Sequence, residues 1–418
     1  MTIAMPDAPS TGALFRPDET PRGGAPAIIQ RVVELTHRHL GMDVAYVSQF
    51  VGDWQYFHGV AGDPASFGVD PGPGLPLGVT YCAQMASGQL PRLIPDTRTD
   101  ARVSDLPVTA RARIGSYIGV PLRLSDGTVF GSFCCASHEA HPELTARDVH
   151  FLEVLADLLT TELDREYEWN ETRRLIERVL TNSQLAVALQ PVVDLRDGRR
   201  IGVEALSRFP DSVGSPATLF PAAASVGLGT ELEELAATRA LALAGLLEHD
   251  EFLSINLSPR TFRSAARLVG RFARIDPARL IFELTEHQAV EEYDDLRGSL
   301  SALRRQGIRL AIDDAGAGYA SLFHIVQLEP DIIKIDRSLV HGAATDRARR
   351  SVIRGFVSLA DDIGATVIGE GVEQLADLEV LRDLGVDAAQ GYLLGRPTVD
   401  YDSIQGGFGR SDWIVPGV

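Results

Sequence analysis

The chain has 418 residues, 45% hydrophobic and 23% charged, a globular composition long enough for two or three domains. Its formal net charge of −18 repels polyanions at long range, so no nucleic-acid polymer is expected as a partner. A small anionic substrate stays compatible wherever arginines or metal ions supply local positive charge. No apolar run approaches the ~18 residues that span a bilayer, and the N-terminus lacks a basic stretch followed by an apolar one. A cytoplasmic protein with no membrane partner is therefore expected. The cysteines are Cys82, Cys134 and Cys135, an odd count with two adjacent, which suits reduced thiols better than a disulfide framework.

Residues 1–25 read as a disordered arm. A helical pattern, AIIQRVVELTHRHLG, begins near Pro26 and closes on Gly41. Two strand-like runs follow, VAYVSQFV and QYFHGVAG, then a Gly/Pro-rich loop and a short helix, TYCAQMASG. The stretch SYIGVPLRLSDGTVFGSFCCAS alternates around Asp126-Gly127, a hairpin signal, and packs Cys134 and Cys135 into a core. From about Thr145 the pattern is helical, with an apolar stripe at Phe151, Val154, Leu155, Leu158, Leu159 and Leu163 that gives way to charge. That stripe suits packing on its own domain or pairing with a second copy equally well. An α+β domain over 26–165 and a helical linker over 166–182 result.

Residues 28–165 resemble a GAF domain in their helix-strand-strand order, the GVTYCAQMASGQLPRLIPD segment and the GVPLRLSDGTVFGSFCCAS hairpin. The resemblance implies a ligand-binding sensory module that regulates an output domain through a connecting helix, and it names no ligand. Cys82 is a candidate for a thiol-linked chromophore or for sensing oxidants. The Cys-His pair frequent in the family is absent, since Ala83 and Gln84 follow, which argues against the chromophore.

After residue 184, short apolar runs alternate with helical stretches: AVALQPVVDL, IGVEALSRF, FLSINLS, RLIFELTE, IRLAIDDAG, DIIKIDRS, TVIGEGVE and AAQGYLLG. Their length and rhythm predict an α/β fold, a (β/α)₈ TIM-type barrel over 183–405 followed by a tail, 406–418. Several runs finish in Glu204, Asn256, Glu283, Asp313 with Asp314, Lys334, Glu370 or Gln390. In such a barrel the strand ends converge on one mouth, where so many carboxylates repel unless cations sit among them. Carboxylate and amide oxygens are hard ligands suited to Mg²⁺ or Mn²⁺, and no Cys/His cluster suggests zinc. The adjacent pair Asp313-Asp314 would let one carboxylate bridge two ions, the arrangement used in phosphodiester cleavage. Any one of these acids alone could be a helix N-cap; the ensemble reads as a site. Lys334 is the single lysine among 39 basic residues.

Residues from about 180 to 405 resemble an EAL domain, the cyclic di-GMP phosphodiesterase of bacterial signalling. The Glu-x-Leu-x-Arg pattern is filled by Glu204, Leu206 and Arg208, and QPVVDL, SINLSP, ELTE, IDDAGAGYASL, IKIDRS, GEGVE and QGYLLGRP follow in the family's order. The resemblance implies hydrolysis of cyclic di-GMP to pGpG at a two-metal Mg²⁺ or Mn²⁺ site, in a homodimer. It implies that Glu204, Asn256, Glu283 and Asp313 hold one ion, and that Asp313, Asp314 and Glu370 hold the other. Leu206 and Arg208 would bind substrate, Arg208 clasping a phosphate; Gln190 and Gln390 would line the cleft with Glu373 in support, and Glu286 would anchor the loop after the fifth strand. Lys334 would orient the attacking water from the side opposite the acids. Ala315 and Ala317 stand where family members typically have Phe and Thr, which puts activity or its regulation in question. Two further readings stay open: a weak or inactive barrel serving as a cyclic di-GMP receptor or protein-interaction module, and an unrelated metal-dependent barrel enzyme. Retention of every ligand and of Lys334 favours the active enzyme. No GGDEF signature appears, so no cyclase activity is expected.

Overall fold

The computed structural model describes residues 24–69, 74–270, 276–284, 293–316 and 320–402. The expected N-terminal arm up to residue 23, Glu286, Ala317 and the C-terminal tail lie outside the described residues. By its contacts the chain divides into two units, Met1–Glu171 and Thr172–Val418.

The first unit runs α1 (Gly24–Leu40), β1 (Val44–Val51), β2 (Trp54–Gly62), β3 (Leu75–Pro76), α2 (Tyr81–Ala86), β4 (Leu93–Ile94), α3 (Pro107–Arg111), β5 (Ser116–Arg123), β6 (Val129–Ser137) and α4 (Ala146–Thr181), the last carrying the chain into the second unit. The strands form one sheet in the order β3-β2-β1-β6-β5-β4. Helix α1 stops at Gly41, whose φ of 63° ends a helix at little cost. The Asp126-Gly127 turn joins β5 to β6 in antiparallel register, with Gly127 at φ 85°. Strand β6 is buried along nearly its whole length because the sheet carries a core on each face. Since side chains alternate across a strand, the neighbours Cys134 and Cys135 enter different cores. Leu152, Leu159 and Leu163 of α4 are buried in this unit, so that part of the stripe packs on its own domain, while Val154 and Leu158 stay exposed.

The second unit is a closed barrel, β10-β11-β12-β13-β14-β7-β8-β9. In chain order it contains β7 (Ala186–Asp194), β8 (Arg200–Arg208), α5 (Pro216–Ser225), α6 (Gly229–Leu243), β9 (Phe252–Leu257), α7 (Pro259–Gly270), β10 (Leu280–Leu284), α8 (Tyr293–Arg304) and β11 (Arg309–Ala315). There follow α9 (Ala320–Leu328), β12 (Ile332–Ile335), α10 (Arg337–Val340), α11 (Arg347–Ile363), β13 (Thr366–Gly369), α12 (Leu375–Asp383) and β14 (Ala388–Ala389). The barrel departs from eight parallel repeats at its first strand. β7 runs antiparallel to both neighbours, β8 and β14. The reason is the link Leu195–Arg199, a tight turn with Gly198 at φ 70°, which is far too short for the crossover that parallel neighbours require. Among the described residues no helix is long and apolar enough to cross a membrane.

Candidate active site

The barrel interior changes character over one two-residue step. Val192, Phe252, Ile281, Ala311, Ile332, Ile368 and Ala388 form an apolar cluster inside it. Two residues further towards the C-terminal ends, on the same faces, stand Ser254, Glu283, Asp313, Lys334, Glu370 and Gln390. On reversed β7 the same step runs backwards along the chain, from Val192 to Gln190, which lies opposite Glu204 of β8. Asn256 continues the inward face of β9 beyond Ser254 and pairs in register with Glu283.

At the centre is the Lys334 ammonium, on a residue 2% exposed. It lies 2.7 Å from Glu283 Oε2 and from Glu370 Oε1, 3.1 Å from Asp313 Oδ1 and 3.3 Å from Glu204 Oε2. Lys334 therefore stands among the acids, not across from them as the sequence reading had it: its strand sits between the strands that carry Asp313 and Glu370. Burial opposes its charge, but the four carboxylates outweigh burial and hold its pKa well above the usual lysine value. The acids divide. Burial, reinforced by Glu204, pushes the Glu283 pKa well up, and burial with Asp313 does the same for Glu370. At Glu204 burial is overcome by Lys334 and by hydrogen bonds from Gln390 and Asn256, and the pKa falls below the usual value.

Amides and a hydroxyl hold the carboxylates in place. Gln390 Nε2 donates to Glu204 Oε2 at 2.6 Å and to Glu370 Oε1 at 2.8 Å, and Asn256 Nδ2 donates to Glu204 Oε1 at 2.9 Å. Ser254 Oγ donates to Glu283 Oε1 at 2.5 Å. Ser254 was not singled out in the sequence, although its position two residues before Asn256 on one strand face was the available signal.

Asp313 and Asp314 are sequence neighbours, and in a regular strand they would face opposite ways. The β11–β12 register breaks between Ile312 and Ala315, and Asp314 adopts φ 54°. This bulge aims both acids at the mouth, so that Asp313, Asp314 and Glu370 each offer a carboxylate oxygen within 4.8 Å of the others. Among the described residues Asn256 Oδ1 is buried without a hydrogen-bond partner, and Asp313 Oδ1 is buried against the Lys334 ammonium at 3.1 Å without a further one. All-oxygen donors, an orphaned amide acceptor and four carboxylates around one ammonium fit hard divalent cations.

Beside this cluster lies a cleft of about 270 Å³ lined in part by Leu206, Arg208, Asn256, Phe220 and Glu233. Arg208 at the end of β8 donates to its neighbour's carbonyl, Ser207 O, at 2.8 Å, and among the described residues its other guanidinium donors face no further partner, which suits an anion. Glu233, also absent from the sequence-derived set, is held by Ser258 N and Oγ at 2.9 and 2.7 Å. Gln190 donates to Gly395 O at 3.1 Å. Glu373 pairs with Arg337 at 2.9 Å, outside the ring around Lys334. Ala315 is fully buried at the end of β11.

Residues 172–397 match the EAL domain and residues 25–163 the GAF domain. MucR of Pseudomonas aeruginosa, a bifunctional diguanylate cyclase/cyclic di-GMP phosphodiesterase, is 32% identical over 235 residues, 53% of this chain and 34% of MucR. The Escherichia coli protein described as "Probable cyclic di-GMP phosphodiesterase PdeG" is 28% identical over 269 residues, 61% of this chain and 53% of PdeG. The chain thus spans about a third to a half of the length of these curated relatives. Among solved structures, the EAL enzyme Bd1971 with cAMP and cyclic-di-GMP bound has a TM-score of 0.54 at 21% identity, covering 67% of this chain and 82% of Bd1971, a likeness of fold. A manganese/cyclic di-GMP complex of BlrP1 from Klebsiella pneumoniae gives a TM-score of 0.47 at 34% identity, covering 51% of this chain and 56% of BlrP1. With the EAL match covering more than half of its length, the chain belongs to the EAL-domain family, and it carries a GAF domain ahead of the barrel.

Proposed function

We propose that the barrel hydrolyses one phosphodiester bond of cyclic di-GMP to give linear pGpG, using two Mg²⁺ or Mn²⁺ ions and under control of the GAF domain. The observation that carries this reading is the ring of Glu204, Glu283, Asp313 and Glu370 around Lys334, with Asp314 brought in by the bulge. Glu204, Asn256, Glu283 and Asp313 would hold one ion, and Asp313, Asp314 and Glu370 the second. When bound, the ions supply an activated water and stabilise charge on the attacking and leaving oxygens. Arg208 clasps a phosphate with a planar pair of donors and Leu206 contributes an apolar wall of the cleft. Lys334 donates a hydrogen bond that orients the attacking water, and Gln390 keeps Glu204 and Glu370 in register. Water adds to phosphorus as the bond to one ribose 3′ oxygen breaks, leaving a 5′ phosphate and a 3′ hydroxyl.

The test is incubation of the full chain with cyclic di-GMP and Mg²⁺ or Mn²⁺, scoring pGpG, with Glu204→Ala as control. Wild type alone should turn over. Equal rates in both proteins, or none in either with both metals, refute the reading. Removal of residues 1–165 should change the rate if the GAF domain regulates the barrel. The buried Ala315 in place of an aromatic favours a second reading, a receptor that binds cyclic di-GMP without cutting it, which tight binding without pGpG would establish.

A further inference from the structure

The GAF sheet buries a small cluster of polar side chains beside an apolar core, and two thiols meet in it. Cys82 of α2 and Cys134 of β6 are 2% and 0% exposed, and their sulfurs lie 3.6 Å apart, in van der Waals contact. Each sulfur has its own phenol: Tyr46 OH is 3.3 Å from Cys82 Sγ and Tyr117 OH is 3.1 Å from Cys134 Sγ. Space for Cys134 is kept open by Gly119, where a Cβ would lie 2.7 Å from the sulfur and 2.4 Å from Tyr117 OH. Ser48 and Ser132 hydroxyls pair at 2.9 Å, and Gln55 donates to Ser48 at 2.9 Å while its buried Oε1 has no hydrogen-bond partner among the described residues. Cys135 points into the other core and cannot join the pair.

We propose that Cys82 and Cys134 are a dithiol site that a small hydroperoxide oxidises to an intramolecular disulfide. Closing 3.6 Å to the ~2.05 Å of an S–S bond needs a shift of roughly 1.5 Å, within reach of side-chain rotation on the six-residue helix α2. In the first step the Cys82 sulfur attacks one peroxide oxygen, the O–O bond breaks, and a sulfenic acid and an alcohol or water form. In the second, Cys134 sulfur displaces that hydroxyl as water, so two thiols lose two electrons and two protons and the peroxide accepts them. Gln55 Oε1 is an acceptor available to the sulfenic O–H. Hydrogen bonds from Cys134, Ser132, Tyr46 and Gln55 work against burial to make Cys82 the more acidic thiol, while burial and the neighbouring sulfur push Cys134 up, which suits Cys82 as attacker and Cys134 as resolver. Burial restricts the oxidant to small molecules. The site stands apart from the phosphodiesterase reading.

The full chain would be treated with hydrogen peroxide, denatured, alkylated and mapped by mass spectrometry. Alkylatable thiols should fall from three to one, Cys135, with a Cys82–Cys134 linked peptide that dithiothreitol reverses. Cys135→Ser should keep the link and Cys134→Ser should abolish it; if Cys134→Ser loses its far-UV dichroism, Cys82→Ser takes its place. Oxygen addition at Cys82 in wild type without a link, a link to Cys135, or three thiols still alkylatable after peroxide would each overturn the proposal.

Discussion

Replacing Lys334 by Met keeps the length of the side chain and removes the positive charge that the four surrounding acids contact. At an effective dielectric of about 20, each contact of the 2.7 Å kind carries roughly 6 kcal/mol of Coulomb attraction before desolvation is subtracted. Desolvation of the ammonium offsets much of this, and breaking a buried ion pair by removing one partner costs about 3–5 kcal/mol net. With a urea dependence near the upper end of about 1–3 kcal/mol per molar, the unfolding midpoint of the barrel in EDTA should fall by roughly 1–2 M. The acids set the pH dependence. Glu283 and Glu370 have folded-state pKa values raised above the unfolded value, chiefly by burial, so their stabilising contribution is complete below about pH 4.5 and is lost as pH rises from there. Lys334→Met should therefore lose less stability at pH 5 than at pH 8, and Mn²⁺ should restore part of the loss at pH 8 by binding the folded state. Urea melts of wild type and variant at both pH values, with and without Mn²⁺, provide the measurement. A midpoint unchanged within about 0.3 M in EDTA, or a larger loss at pH 5 than at pH 8, would refute the electrostatic account of the ring.

Lys334→Arg should keep the fold and substrate binding yet lose most pGpG formation, because a bulky planar cation cannot place one donor on a small water; kinetics at saturating substrate decide it. Asp314→Gly should raise stability by about 1 kcal/mol or slightly less, since φ 54° suits glycine, while lowering the Mn²⁺ stoichiometry measured by calorimetry. Ser254→Ala should cost about 1–3 kcal/mol by stripping a buried donor from Glu283, and should lower kcat more than it raises KM. His58, whose pKa burial lowers to about 4, takes up its proton less readily folded than unfolded. The His58 contribution to GAF stability is thus complete above about pH 6.5 and is lost as pH drops towards 4, by about 3 kcal/mol at most; His58→Gln should flatten that part of the acid limb in thermal melts.

Much of the architecture was legible in the chain because it follows from local rules. Apolar alternation, the Asp126-Gly127 turn and the strand-helix rhythm each report short-range stereochemistry, and the GAF hairpin and the barrel follow from them. The polar strand ends could be selected because inward positions repeat every two residues, so an acid two places after an apolar barrel residue marks the mouth. The reversed first strand was also written in the chain, as Asp197-Gly198 in a link too short for a crossover, but the stronger repeat signal of the later strands masked it. Only the closed barrel decided the rest. It placed Lys334 amid the carboxylates, since strand order fixes which side chains become neighbours and sequence separation does not. It turned Asp314 towards Asp313 by a bulge that composition cannot announce, and it paired Glu373 with Arg337. In the GAF sheet, the sequence shows three cysteines, but the alternation of faces brings Cys134 to Cys82 and sends Cys135 to the opposite core. Local propensity sets which residues share a strand face; long-range packing sets what that face meets.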